Sequence, residues 1–483
     1  MLGKPNRQQN FWDSWVYQRL IPQDHLLWRI DELVDFSFVE EETRNLYSAD
    51  AGRPSYPPEQ IFRVLFLAYF YNLSDVRISQ ELQYNLLYRY FCRFGIDDDT
   101  PDDTTLVVFR KRLGEERFLR LFNRIVEKAK ELGLLKEERK LIDATIIRAD
   151  AALRNRTELL RHGRRRVIRE LKGKDPQRAE ELRRFVDAVE TKELSREEVV
   201  AREEALTEEM LEALDDVTDE GVQYWLGELR KVKEGEGGVA SFTDPDCRWG
   251  YKRKDEPFLG YKAHVSCDES GIVTSVQVLP GNASECEHLG DLLKEDLRKG
   301  IGAKSVVADK AYDSSENRNK IKEQGMAPEI PSRYSSKQAN KFKYRPRKDC
   351  FRCPGGKETI GKSAHRGGSL YYFSEADCQK CRLRETCLGK AKTRKRVYLS
   401  WRTRDVLVSH QDLKEALKSR KKIERKFGEA KWWHQMRRAR YRGKWRVGIQ
   451  VIMTFIVLNV KRVIRLIASG PPTEEGQLAT AVG

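Results

Sequence analysis

Apolar residues recur at helical spacing through the first 135 residues. Pro58-Glu-Gln-Ile-Phe-Arg-Val-Leu-Phe-Leu-Ala-Tyr-Phe is one such segment, with apolar residues at positions three and four apart among others. Pro57 and Pro58 suit a helix start, where a missing N–H costs nothing. Short helices are expected at Leu73 to Leu82 and Asn85 to Phe94. Thr100-Pro-Asp-Asp-Thr-Thr then supplies capping oxygens ahead of the basic helix Leu106-Val-Val-Phe-Arg-Lys-Arg-Leu. Arg110, Lys111 and Arg112 on that helix would suit a helix-turn-helix in a DNA groove. The pattern alone fits a helical bundle with a basic surface helix better.

Past residue 135 the period shortens. Lys140-Leu-Ile-Asp-Ala-Thr-Ile-Ile reads as a core strand interrupted by one acid, Asp143. Residues 155–238 are rich in Arg, Glu and Lys with sparse apolar positions, and predict an inserted pair of long solvated helices or a helical hairpin. Strands resume at Phe258 to Cys267 and Gly271 to Pro280, joined through the turn Asp268-Glu-Ser-Gly271. A helix around His288 to Arg298, the strand Lys304-Ser-Val-Val-Ala-Asp309 and a polar helix follow, an alternation that predicts a mixed α/β sheet flanked by helices. Residues 335–395 break into Gly, Pro, Lys and Cys, a second insertion expected to lack a core of its own. Asp412 to Leu466 reads as helical with a break at Gly443, and the tail 470–483 reads as disordered. The expected blocks are therefore 1–135, a sheet built from 136–154 and 239–334, the insertions 155–238 and 335–395, a C-terminal helical region 396–469, and the tail.

Charge sharpens this picture. The 483 residues carry 91 Lys plus Arg against 75 Asp plus Glu, a net charge of +16. From Ser419 to Arg446 twelve cations face only Glu424 and Glu429, a local +10. Lys421, Arg437, Arg438 and Arg440 belong to this run, and Trp432, Trp433, Tyr441 and Trp445 are interleaved with it. Such a mixture suits phosphates and bases better than core packing alone does. The amino terminus has no apolar run of signal length, so a cytoplasmic protein is expected. The most apolar stretch, Val447 to Val460, has 14 residues against the roughly 20 of a spanning helix, so it reads as buried and no membrane partner is expected.

Isolated acids carry the candidate chemistry. Asp143 inside an apolar strand is costly to bury unless it is hydrogen-bonded or holds a cation, and Asp309 at a strand end raises the same question. Arg420, Glu424 and Lys431 stand four and seven apart on one helix face, a carboxylate between two cations. A salt bridge on a solvated helix would explain that spacing equally well. Asp150 and Glu429 compete for the roles of Asp143 and Glu424. Cys350-x-x-Cys353 and Cys378-x-x-Cys381 have the paired knuckles of a four-thiolate structural zinc site, with Cys387 as a spare, against a reading as unliganded cytosolic thiols.

Taken in order, Pro-Asp-Asp-Thr-Thr-Leu, Phe-Arg-Lys-Arg-Leu, Asp143-Ala-Thr, Gly260-Tyr-Lys-Ala-His, Leu279-Pro-Gly-Asn, Ala-Asp309-Lys-Ala-Tyr-Asp-Ser, Arg420-x-x-x-Glu424 with Lys431, and Arg437-Arg-Ala-Arg-Tyr-Arg-Gly resemble the DDE transposases of bacterial insertion sequences. The resemblance covers nearly the whole chain, with one departure: Leu417 stands where the wider signature has Tyr. It implies an RNase H-like catalytic core behind a helical N-terminal DNA-binding block. It further implies Asp143, Asp309 and Glu424 as ligands of two Mg²⁺ or Mn²⁺ ions, and Arg420 and Lys431 on phosphates. The partner would be double-stranded DNA at the terminal inverted repeats and the target, gripped by a homodimer on paired ends. A metal-dependent nuclease without strand transfer, or a DNA-binding protein without activity, remain the rival readings.

Overall fold

The computed structural model describes residues 2–3, 11–48, 52–186, 194–236, 238–253, 255–331, 342–388, 393–401, 404 and 410–469. The expectation for 470–483 lies outside these residues, as does part of each insertion.

The chain opens with helices α1 (Phe11–Leu20), α2 (Leu26–Leu33), α3 (Phe38–Thr43), α4 (Pro58–Phe70), α5 (Asp75–Tyr84), α6 (Leu86–Phe91) and α7 (Asp103–Glu131). Pro58 starts α4 as expected. Asp102 caps α7 through Oδ1, which accepts from the Thr105 backbone N–H and hydroxyl, each at 2.7 Å. That cap satisfies donors that a helix start otherwise leaves bare. Helix α7 bends at Gly114, whose φ of 65° lies in the left-handed region.

The principal sheet comprises β1 (Arg139–Arg148), β2 (Arg248–Arg253), β3 (Glu256–Asp268), β4 (Val273–Pro280), β5 (Ser305–Val307) and β6 (Ala327–Glu329). β3 pairs antiparallel with β1 on one side and with both β2 and β4 on the other, while β5 and β6 continue parallel beyond β1. The β3–β4 hairpin turns through Asp268 to Gly271 as the pattern predicts.

Alternation gives the two sheet faces different neighbours. Ile142, Val306 and Ala308 pack with the helices α12 (Leu289–Arg298) and α13 (Ser315–Glu323). The opposite face, with Leu141, Val265 and Val307, joins the large core shared with the N-terminal helices. At the centre of that core lies α18 (Lys444–Ala468), buried from Val447 to Val460 and packed on α7, α4 and β4. Among the described residues no helix is long and apolar enough to cross a membrane.

Between β1 and β2 the chain forms α8 (Arg156–Lys172), α9 (Pro176–Glu181), α10 (Arg196–Ala213) and α11 (Glu220–Glu234). This departs from the expected solvated hairpin. The few apolar residues are spaced to face one another, so Leu160, Val167, Met210, Trp225, Leu229 and Phe242 close a core of their own. Buried Arg164 is fully engaged there by Glu203, Thr207 and the Phe185 carbonyl.

The cysteine-containing region also departs from expectation, because it has a small core. A two-stranded ladder, β7 (Lys343–Arg345) and β8 (Cys350–Arg352), adjoins a three-stranded sheet of β9 (Gly361–His365), β10 (Gly368–Tyr372) and β11 (Arg396–Ser400). Phe351, Tyr371, Phe373 and Val397 fill the space between them. The short helices α14 (Glu375–Gln379) and α15 (Arg384–Leu388) carry the remaining cysteines. The C-terminal helical stretch is broken twice: α16 (His410–Ser419) gives way at Arg420 to α17 (Lys421–Trp433), and residues 434–443 separate α17 from α18.

Candidate active site

The parallel register of β1 on β5 pairs Arg139 with Ser305 and Leu141 with Val307. Continued by two residues, it sets Asp143 beside Asp309 on the same face, the one that α17 covers. Asp309 turns the chain by accepting the Ala311 N–H at 2.7 Å. Asp143 accepts the Ala144 N–H at 2.9 Å and a hydrogen bond from Arg420 Nη2, also at 2.9 Å. Burial lifts the Asp143 carboxyl above its ordinary value. Arg420 and the Ala144 N–H oppose that rise, and the neighbouring Asp309 adds to it. Two hard oxygen donors whose shared negative charge is poorly compensated fit a divalent cation.

Glu424 lies one turn beyond Arg420 on α17. It is exposed, and its side chain makes no ion pair among the described residues. Among those residues no three His, Cys, Asp or Glu side chains are closed into a metal-holding group. The structure thus brings Asp143, Asp309 and Arg420 together and leaves Glu424 outside that cluster. The rivals of the two acids are occupied: Glu429, the rival of Glu424, is paired with Lys461 at 2.8 Å and with Lys426, and Asp150, the rival of Asp143, with Arg438 and Arg442.

Beyond Asp143 a cleft of about 640 Å³ is lined by Thr145, Arg148, Lys252, Lys431, Arg437 and Arg438, among others. Its cations outnumber its one acid, Glu256. Burial and the adjacent Arg437 and Lys252 hold the Lys431 ammonium below its ordinary value, against the pull of Asp143. An anion entering the cleft would relieve this crowding. The wall is rigid because the segment after α17 is stitched to the end of β1: the Arg148 N–H donates to the Arg437 carbonyl at 2.9 Å, and the Ala439 N–H to the Arg148 carbonyl at 2.7 Å. Gln450 of α18 locks the same segment, its Oε1 accepting from the Arg440 N–H at 2.7 Å and its Nε2 donating to the Arg438 carbonyl at 3.0 Å.

The remaining cations divide. Lys421, Arg437 and Arg438 are exposed, and Arg437 lies 3.6 Å over the exposed Trp432 ring. Lys111 and Arg112 are exposed on α7, Arg112 stacking on Tyr47. Arg110 corrects the expectation of a DNA contact: it is 7% exposed, held by Asp75 and stacked on Tyr441. Arg440 is likewise engaged inside the fold, by Asn72, the Leu73 carbonyl and the Tyr69 ring. Arg148 and Lys252 were missed by sequence reasoning, because no spacing links them to the acids.

His264 is fully buried and stacks on Tyr312 with ring centroids 5.7 Å apart. Burial, then His288, pushes its imidazole down to about 3, so it is neutral. Among the five cysteines of the region 342–388, Cys350 faces Glu358, whereas Cys353 packs on the small core with Cys378 and Cys387.

A family model described as "Transposase domain (DUF772)" matches residues 15–112, and one described as "Transposase DDE domain" matches residues 231–460. The "Transposase for insertion sequence element IS1106" of Neisseria meningitidis serogroup B is 44% identical over 92 residues. That alignment spans 18% of this chain and 30% of the relative's length. No solved structure matches.

Proposed function

Since the chain belongs to the DDE transposases of insertion sequences, we propose that it binds the terminal inverted repeats of its element and catalyses cleavage and transfer of their strands. The observation that carries this is the proximity of Asp143 on β1 to Asp309, two residues beyond the end of β5, next to a cleft lined by five cations. Three antiparallel strand positions followed by two parallel ones, with helices on both faces, support an RNase H-like core.

Asp143, Asp309 and Glu424 would hold two Mg²⁺ or Mn²⁺ ions. Such ions activate a water or a DNA 3′-hydroxyl and stabilise the leaving oxygen. Arg420 balances the Asp143 charge at the start of α17. Lys431, three turns along the helix, faces the cleft that receives backbone phosphates. Lys111, Arg112, Lys421, Arg437 and Arg438 add non-specific grip on double-stranded DNA. Reaction at both ends of an element in the cytoplasm is served by a homodimer on paired ends.

Purified full-length protein and labelled element ends test the reading. Asp143→Asn, Asp309→Asn and Glu424→Gln should each abolish Mg²⁺-dependent cutting while end binding survives. Continued cutting by any one variant removes that residue from the set. Joining of 3′ ends to a target plasmid separates a transposase from a nuclease.

A further inference from the structure

Four cysteines converge in the region 342–388 in a combination that spacing does not pick out. In β8, successive side chains alternate between faces. Phe351 enters the small core, and Cys353 beyond the strand end packs on that core with it. Cys350, an odd number of residues from Cys353, faces the other way, against Glu358. The chain then turns tightly after Cys353, with the Gly356 N–H donating to the Cys353 carbonyl at 2.9 Å. A matching turn brings the Cys381 N–H to the Cys378 carbonyl.

The two turns face each other. A methyl group built on Gly355 would lie 3.3 Å from Cys381 Sγ and 3.6 Å from Cys353 Sγ. Cys378 and Cys387 pack on the same side of the core as Cys353. Burial raises the Cys387 thiol, Lys395 opposes this, and the thiols of Cys378, Cys353 and Cys381 are its next electrostatic neighbours.

We propose that Cys353, Cys378, Cys381 and Cys387 bind one structural zinc ion, with Cys387 rather than Cys350 as the fourth ligand. The thiols are neighbours but are not closed into a coordinating group, so zinc–sulfur bonds of about 2.3 Å require them to draw in. Each thiol would release its proton on binding, and four thiolates leave no position for catalysis. The site would staple a core of a few aromatic and aliphatic side chains that is small for independent stability.

Elemental analysis of the purified full-length chain should find about one zinc per molecule. Cys350→Ser should keep it and Cys387→Ser should lose most of it. In case Cys387→Ser fails to fold, alkylation of the wild-type chain, mapped by mass spectrometry with and without a chelator, gives an independent reading. Metal removal should expose Cys353, Cys378, Cys381 and Cys387 and leave Cys350 unchanged. A wild-type chain without zinc, or zinc protection of Cys350 in place of Cys387, overturns the proposal.

Discussion

At the level of single residues, Asp143 shows an acid of the candidate site held at the expense of stability. Its folded carboxyl binds a proton more tightly than an ordinary aspartate does. The stability linked to it is therefore fully present below the ordinary aspartate range and lost as pH rises through the folded value. Asp143→Asn should accordingly melt no lower than wild type at neutral pH, with any advantage shrinking as the pH falls through the raised folded value and gone below the ordinary aspartate range. Thermal melts at the two pH values check this, and a variant much less stable at neutral pH would contradict it. The acid itself was legible in the sequence because it stands alone in an apolar strand. Its partners were not: the strand register that brings Asp309 alongside and the reach of Arg420 across 277 residues are tertiary facts. Arg110 was misread for the same reason, since its partner Asp75 is 35 residues away and burial cannot be seen in a run of three cations.

Among the elements, polar side chains of α18 hold backbone N–H and carbonyl groups of other elements. Asn459 accepts from the Val273 N–H and donates to the Val273 carbonyl, both at 2.8 Å. Gln450 does the same for the segment 438–440. Replacing Gln450 with Leu keeps much of its volume but strands two part-buried backbone groups, a cost of about 1 to 3 kcal/mol. Gln450→Leu should therefore shift the urea midpoint downward and weaken DNA binding through the loosened Arg437 and Arg438. Unchanged urea unfolding would show that the clamp carries no load. The elements themselves were largely readable. The capped helix α7, the hairpin at Gly271 and the apolar helix after Gly443 appear where the patterns put them. The core of the 155–238 region escaped notice, because dense charge on the outer faces masked a narrow apolar stripe on the inner ones.

Across the whole molecule, one concentration of cations borders the candidate site: the cleft beside Asp143 and the segment that walls it. Neutralising Lys431, Arg437 or Arg438 singly should weaken binding to all DNA sequences alike. It should also lower the slope of log affinity against log salt by about one per lost phosphate contact. A slope unaltered in all three variants would place the DNA elsewhere. Arg148 and Lys252 belong to the same surface, yet only the folded sheet brings them to it.

The placement of α18 bears on when this protein can first act. The helix that completes the interior for α2, α4 and α7 lies far along the chain from them, and residues that wall the cleft directly precede it. A nascent chain emerging from the ribosome therefore holds its early helices without their central support until α18 has followed them out. A chain stopped short of α18 would leave the apolar faces of α2, α4 and α7 open to other molecules.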